Sequence, residues 1–197
     1  MAEGTKGLSP EQAGFLARIV ERLEGAGIPF MIAGSLASSY YGDPRATNDI
    51  DIIIAPDSAQ IESLLGSLRD GYYVGEDTAR RALREEGMFN VIDQRRAWKA
   101  DLIVRRRRPF SRIEFGRKKR ITIGDLPVFV ASPEDVILGK LEWSAAGGSE
   151  RQFQDALGVA VAQGTELDRD YLRKWAPELG VANLLDRLLR EADAIRP

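Results

Sequence analysis

The chain has 197 residues, room for one large domain or one domain with a small appendage, and enough to bury a core without disulfide or metal staples. Its hydrophobic share of 44% and charged share of 29% are those of a globular protein, not a disordered or membrane-embedded one. Cysteine and histidine are both absent, which excludes thiolate nucleophiles, disulfides, Cys/His zinc sites and Ser-His-Asp triads.

Catalysis is thereby left to carboxylates, Lys, Arg, Tyr, Ser and Thr. A metal, if used, should be a hard cation held by oxygen, such as Mg2+ with Mn2+ as its substitute. No apolar run approaches the roughly 20 residues of a bilayer span, and residues 1–9 lack the apolar core of a secretory signal. The expectation is a cytoplasmic protein with no membrane partner.

Ser9-Pro10-Glu11-Gln12 reads as a helix start, with a serine cap, proline in the first turn and Gln three residues after the cap. Phe15, Leu16, Ile19, Val20 and Leu23 continue at helical spacing until Gly25 and Gly27. Phe30-Met31-Ile32-Ala33, bounded by Pro29 and Gly34, reads as a short buried strand. A short helix over 35–41 and a turn at Gly42-Asp43-Pro44 lead to a second strand over 50–55. A helix carrying Ile61, Leu64, Leu65 and Leu68 follows, then a polar helix over 78–86.

Residues 89–92 and 98–104 read as an antiparallel pair, and 121–123 with 128–130 as a hairpin across Gly124-Asp125. Beyond Ser132 only helices are expected: one opened by Ser132-Pro133 and broken by Gly147-Gly148, then 149–162, 168–176 and 181–194. Strands mixed with helices, followed by helices alone, predict an α+β fold. Residues 1–131 form its core and 132–197 a helical C-terminal part docked on that core.

The net charge of −2 conceals an uneven distribution. Residues 95–120 hold twelve bases, from Arg95 to Arg120, against only Asp101 and Glu114, a net of +10. Such a run is either a solvated face or a phosphate-tracking surface. Trp98, Trp143 and Trp175 are read as packing residues rather than a base-stacking platform.

The chemistry concentrates between Gly34-Ser35 and Asn48-Asp49-Ile50-Asp51. Residues two apart on a strand project to the same face, so Asp49 and Asp51 lie about 7 Å apart on one side of theirs. Two adjacent carboxylates resist joint ionisation unless a cation sits with them. Mg2+, usually shared with substrate phosphates, is the cation that suits them. At Gly34-Ser35 a strand turns into a helix, where glycine permits close approach and free N–H groups receive an anion. Together these predict a triphosphate site beside a metal site.

The order of apolar strand, Gly34-Ser35, short helix, then Asp49-x-Asp51 opening an Ile-rich strand resembles the nucleotidyltransferase superfamily with the DNA polymerase β-like fold. Gly42-Asp43-Pro44-Arg45-Ala46-Thr47-Asn48-Asp49-Ile50-Asp51 looks like the version in bacterial AbiEii-type toxins and related minimal nucleotidyltransferases. The segment from Ser132 to Leu141 and Arg151-Gln152-Phe153-Gln154-Asp155 are similar to that group's downstream helices. The resemblance implies a mixed or antiparallel sheet flanked by helices, and an NTP-dependent, pyrophosphate-releasing transfer of NMP to a hydroxyl.

By the same likeness, Gly34 and Ser35 bind nucleotide and Asp49 and Asp51 ligate metal; Arg45, which lies in the quoted motif, either contacts the nucleotide's phosphate or caps a surface loop after Pro44. Asp101, at the head of an apolar strand, is the third ligand or the base. Lys140 contacts phosphate, and Asp155 orients Lys140 or the nucleotide. The toxin-like branch together with the basic segment points to tRNA or another RNA as acceptor, and to an antitoxin protein as partner. The alternatives are transfer to a small molecule, as in antibiotic-modifying relatives, and a nucleotide- or partner-binding module without turnover.

Overall fold

The computed structural model describes residues 8–47, 49–96 and 98–195. Helix α1 (Pro10–Gly25) opens on a reciprocal cap: the Gln12 N–H donates to Ser9 Oγ at 3.2 Å and the Ser9 N–H to Gln12 Oε1 at 2.9 Å. Phe15, Leu16, Ile19, Val20 and Leu23 form its buried face. The wholly buried strand β1 (Phe30–Ile32) runs straight into α2 (Gly34–Tyr41). Strand β2 (Asp49–Ile54) then alternates, with Ile50, Ile52 and Ile54 in the core and Asp49, Asp51 and Ile53 on the opposite, partly open face.

After α3 (Ser58–Leu68), capped by Asp57, come β3 (Tyr72–Val74), α4 (Glu76–Glu85), β4 (Met88–Asp93) and β5 (Lys99–Val104). Helix α5 (Pro109–Gly116) precedes the hairpin of β6 (Lys119–Ile123) and β7 (Leu126–Val130). The rest is helical: α6 (Pro133–Gly147), α7 (Glu150–Gln163), a single 3-10 turn, α8 (Arg169–Trp175) and α9 (Ala182–Ile195).

The strands form one mixed sheet in the order β3-β4-β5-β2-β1-β7-β6. Strands β2 and β5 pair in parallel, as do β1 and β7, and the remaining neighbours are antiparallel. Helices α6 and α7 pack on each other and on α2, with α9 against α7. This is the expected α+β architecture, a mixed sheet flanked by helices. Among the described residues no helix is long and apolar enough to cross a membrane.

Two elements escape the sequence pattern. Strand β3 has three residues, too few to show alternation, and is held by its antiparallel partner β4. Helix α5 lies inside the basic segment, where arginines mask a short apolar face of Phe110 and Phe115 behind Pro109. Trp143 does not pack inside as expected: it is 57% exposed, whereas Trp175 is buried against Phe110 and Tyr171.

Candidate active site

The sheet register sets the carboxylates side by side. Strand β1 runs towards the site and β2 away from it, with the Ala33 N–H bonded to the Asp51 carbonyl at 2.9 Å. The parallel β2–β5 pair puts Asp51 opposite Asp101 and Asp49 opposite Lys99. Asp51 also accepts the backbone N–H of Ser35.

Gly34 is required here on two counts. Its φ of +57° is left-handed, and a Cβ would lie 1.8 Å from Asp51 Oδ2. Burial, then repulsion from Asp101 and Asp49, pushes the Asp51 carboxyl above its ordinary range, with Lys140 and the Ser35 N–H opposing.

Lys99 supplies positive charge on the neighbouring strand, its Nζ 3.4 Å from Asp49 Oδ1 and 3.2 Å from Asp101 Oδ2. The Asn90 side-chain amide donates to the other Asp101 oxygen. Among the described residues no three acidic side chains close into a ready metal cluster. The donor chemistry at Asp49 and Asp51 nonetheless fits a hard divalent cation: all ligating atoms are oxygen, and Asp51 carries excess repulsion that a cation relieves.

A second cluster forms at the start of α2. The Arg45 guanidinium donates to both Asp155 oxygens, at 3.0 and 2.9 Å, and to Ser35 Oγ at 2.7 Å. Lys140 Nζ lies 2.8 Å from Asp155 Oδ2 and 3.3 Å from Ser35 Oγ. Burial pulls the Lys140 ammonium below its ordinary value while Asp155 pushes back. Burial alone would raise Asp155, but Arg45 and Lys140 hold it below the usual carboxylate range.

The loop carrying Arg45 is fastened at both ends. The Gln12 side chain donates to the Thr47 carbonyl. At Gly42 a Cβ would meet Val159 N of α7 at 2.8 Å, so only glycine lets the loop lie that close.

Two cavities open from this cluster. An open polar cleft of about 570 Å3 is lined by Ser35, Arg45, Asp49 and Asp51 on one side and by Ser149, Arg151 and Gln152 on the other. A narrower cavity of about 270 Å3 starts from Ser35, Asp51 and Asp101 and runs between the sheet, α5 and α6. Ile53, Ile103, Phe110, Val136 and Trp143 give it apolar walls, and the largely buried Glu114 also lines it. The two meet at Ser35, Asp51 and Gln152, and Gln152 Oε1 is buried there with no hydrogen-bond donor among the described residues.

All the sequence-expected site residues, Gly34, Ser35, Arg45, Asp49, Asp51, Asp101, Lys140 and Asp155, therefore lie around this junction. The expectations did not include Asn90, Gln152 and Glu114, nor a site role for Lys99. Alternation on β5 could have found Lys99, two residues before Asp101; Asn90 needed the β4–β5 register, and Glu114 needed the fold.

The basic run does not form one field. Arg106 and Arg108 pair with Glu142, Arg107 with Glu86, and Arg117 with Glu134 and Asp135. Arg105 stacks on Phe115 and Lys118 lies over Phe115 and Phe129. Acids from distant segments thus neutralise much of the +10.

No protein-family model matches the chain, and no curated protein matches its sequence. Solved structures do match. The antibiotic-resistance factor ANT(2'')-Ia superposes with a TM-score of 0.61 at 13% identity, over 91% of this chain and 99% of that one. An antigenic nucleotidyltransferase-like protein from Paracoccidioides brasiliensis gives 0.56 at 20% identity, over 89% and 93% of the two chains. The lincosamide antibiotic adenylyltransferase LnuA, bound to lincomycin, gives 0.52 at 12% identity, over 78% and 97%. At such identities the likeness is one of fold: the chain has the nucleotidyltransferase fold.

Proposed function

We propose that this protein is a nucleotidyltransferase that moves the NMP unit of an NTP onto the hydroxyl of a small acceptor and releases pyrophosphate. The observation that carries this reading is the meeting of a polar cleft and a more apolar cavity at Asp51, beside the Gly34–Ser35 turn. The NTP takes the cleft. The Ser35 hydroxyl and the remaining N–H groups at the start of α2 receive phosphate oxygens, and Arg45 and Lys140 offset their charge.

The acceptor takes the cavity, with its hydroxyl in line with the α-phosphorus. Asp101 accepts the hydroxyl proton, the new O–P bond forms, and the bond from the α-phosphorus to pyrophosphate breaks. The leaving group's charge is met by Arg45 and Lys140, which Asp155 keeps oriented. Asp49 and Asp51, with Asp101 on the same face, would hold Mg2+ or Mn2+. When bound, that cation polarises the phosphoryl oxygens. The chain's own share of the rate is positioning and electrostatic.

Two features favour a small acceptor. The second cavity is the smaller and more apolar of the two, and Arg106 and Arg108 beside it are paired with Glu142. ANT(2'')-Ia, described as an antibiotic-resistance factor, and LnuA, an antibiotic adenylyltransferase, lend this reading further support.

An RNA acceptor, in a toxin controlled by an antitoxin, is the second reading. It rests on the sequence resemblance and on the exposed Arg95, Arg96, Arg112, Lys119 and Arg120, for which no ion pair is seen among the described residues. Incubation with each α-labelled NTP, plus either total RNA or the low-molecular-weight fraction of a cell extract, separates the readings. Label in small molecules supports the first, salt-sensitive label in RNA the second. NTP binding without label transfer leaves a binding module.

A further inference from the structure

The acceptor cavity holds a carboxyl group for which no hydrogen bond or ion pair is found among the described residues. Glu114 projects from α5 into the cavity and is only 8% exposed. Its carboxylate oxygens accept no hydrogen bond and form no ion pair among the described residues, although every other acid lining the cavity has a partner. Asp51 accepts from Ser35, Asp101 from Asn90 and Lys99, Asp135 from Ser132 and Tyr171, and Glu142 from Arg106 and Arg108.

A carboxyl held in a largely buried position without a partner is costly to keep. Chains keep few such groups, and a carboxyl that lines an open cavity points to a ligand supplying the missing contact.

We propose that Glu114 is the anchoring residue for an ammonium group on the acceptor, so that the substrate is a compact hydroxyl compound bearing an amine. This rests on the reading of the cavity as the acceptor site. The cavity suits such a molecule: Asp51 and Asp101, beside which the hydroxyl must react, line it together with Glu114 and the apolar side chains of Ile53, Ile103, Phe110 and Val136.

The groups acting on Glu114 come from three directions: Asp135 and Glu142 on α6, Arg106 and Arg108 just before α5, and Tyr171 on α8. Burial foremost, then repulsion from Asp135, raises Glu114 to about 8, with Arg108 and Arg106 opposing. In the empty site at neutral pH Glu114 is therefore largely protonated. Arrival of an ammonium favours the ionised form, so a proton leaves to solvent and the pair forms. Affinity for an amine should rise with pH as Glu114 ionises and fall again where the amine loses its own proton, whereas affinity for a neutral polyol should show neither change.

Matched probes test this without nucleotide: glucosamine against glucose, and ethanolamine against ethylene glycol. They are titrated into the full chain by calorimetry in buffers of different ionisation heat, with the carbon NMR signal of Glu114 followed in parallel. The amines should bind at least about tenfold tighter than their neutral partners. They should release protons near neutral pH and lower the Glu114 titration midpoint.

In Glu114→Gln, whose fold is checked by melting, the preference and the proton release should vanish. Equal affinity of amine and neutral probes in the native chain, no binding by either amine, or a preference that survives in Glu114→Gln overturns the assignment. Label transfer from NTP to a neutral acceptor, alongside any of these results, would show that the transferase reading stands and only the ammonium anchor fails.

Discussion

The two sides of the Asp51 junction are built on opposite terms. On the cleft side the phosphate-facing charges are matched to one another: Asp155 is gripped by Arg45 and Lys140, and both cations reach Ser35. On the cavity side Glu114 is buried alone. A group that stays in one geometry through a reaction gains from neighbours that fix it in advance. A group that selects among ligands gains from having no internal partner, because the right ligand then relieves a standing cost and the wrong one does not. The contrast separates a preorganised phosphate corner from a selective acceptor corner.

The strongest way to break this division is at the junction itself. Asp51→Asn should lower pyrophosphate release in a transfer assay by at least about a hundredfold. It should also leave the melting temperature unchanged or raised, because the repelled carboxylate is gone. Unaltered release would remove Asp51 from the chemistry.

Next comes the phosphate corner. Asp155→Ala strips the shared partner from the buried Lys140, 4% exposed at its side chain, and should cost about 3–5 kcal/mol in denaturant unfolding. The apparent KM for NTP should rise with it. Gly34→Ala forces a Cβ against Asp51 and a left-handed φ. It should cost about 1–3 kcal/mol and most of the activity.

A titration sharpens the contrast. Glu114 binds its proton more tightly folded than unfolded, about 8 against the ordinary 4.5. Its contribution to stability should therefore be full below about 4.5 and be lost as pH rises towards 8. Glu114→Gln should flatten that decline in urea unfolding at several pH values. Smallest of all, Lys99→Met removes the ammonium between Asp49 and Asp101 and should strengthen Mn2+ binding several-fold, read by electron paramagnetic resonance.

Much of the cleft side was legible in the sequence because its geometry is local. Period-two alternation puts Asp49 and Asp51 on one face, and an apolar strand running into Gly34-Ser35 announces a strand-to-helix turn. The meeting of Arg45, Lys140 and Asp155 is not local: they are brought together by α2, α6 and α7 packing, and only the resemblance to a known superfamily put them in one site beforehand.

The cavity side was largely illegible. Glu114 sits among arginines in the chain, where it reads as a surface acid. Its isolation appears only once α5 closes over the sheet and Arg106 and Arg108 turn to Glu142. The same folding undoes the impression of a basic surface, since Glu86, Glu134 and Glu142 lie outside the basic run.

The decisive experiment counts both products of one reaction: pyrophosphate released and NMP covalently attached to acceptor, from an α-labelled NTP with Mg2+ and the small-molecule fraction of a cell extract. Transfer at the Asp51 junction requires one pyrophosphate for each NMP attached. NTP that stays intact in the cleft, or that is cleaved with no label reaching any acceptor, would show that the two cavities do not form a transferase site.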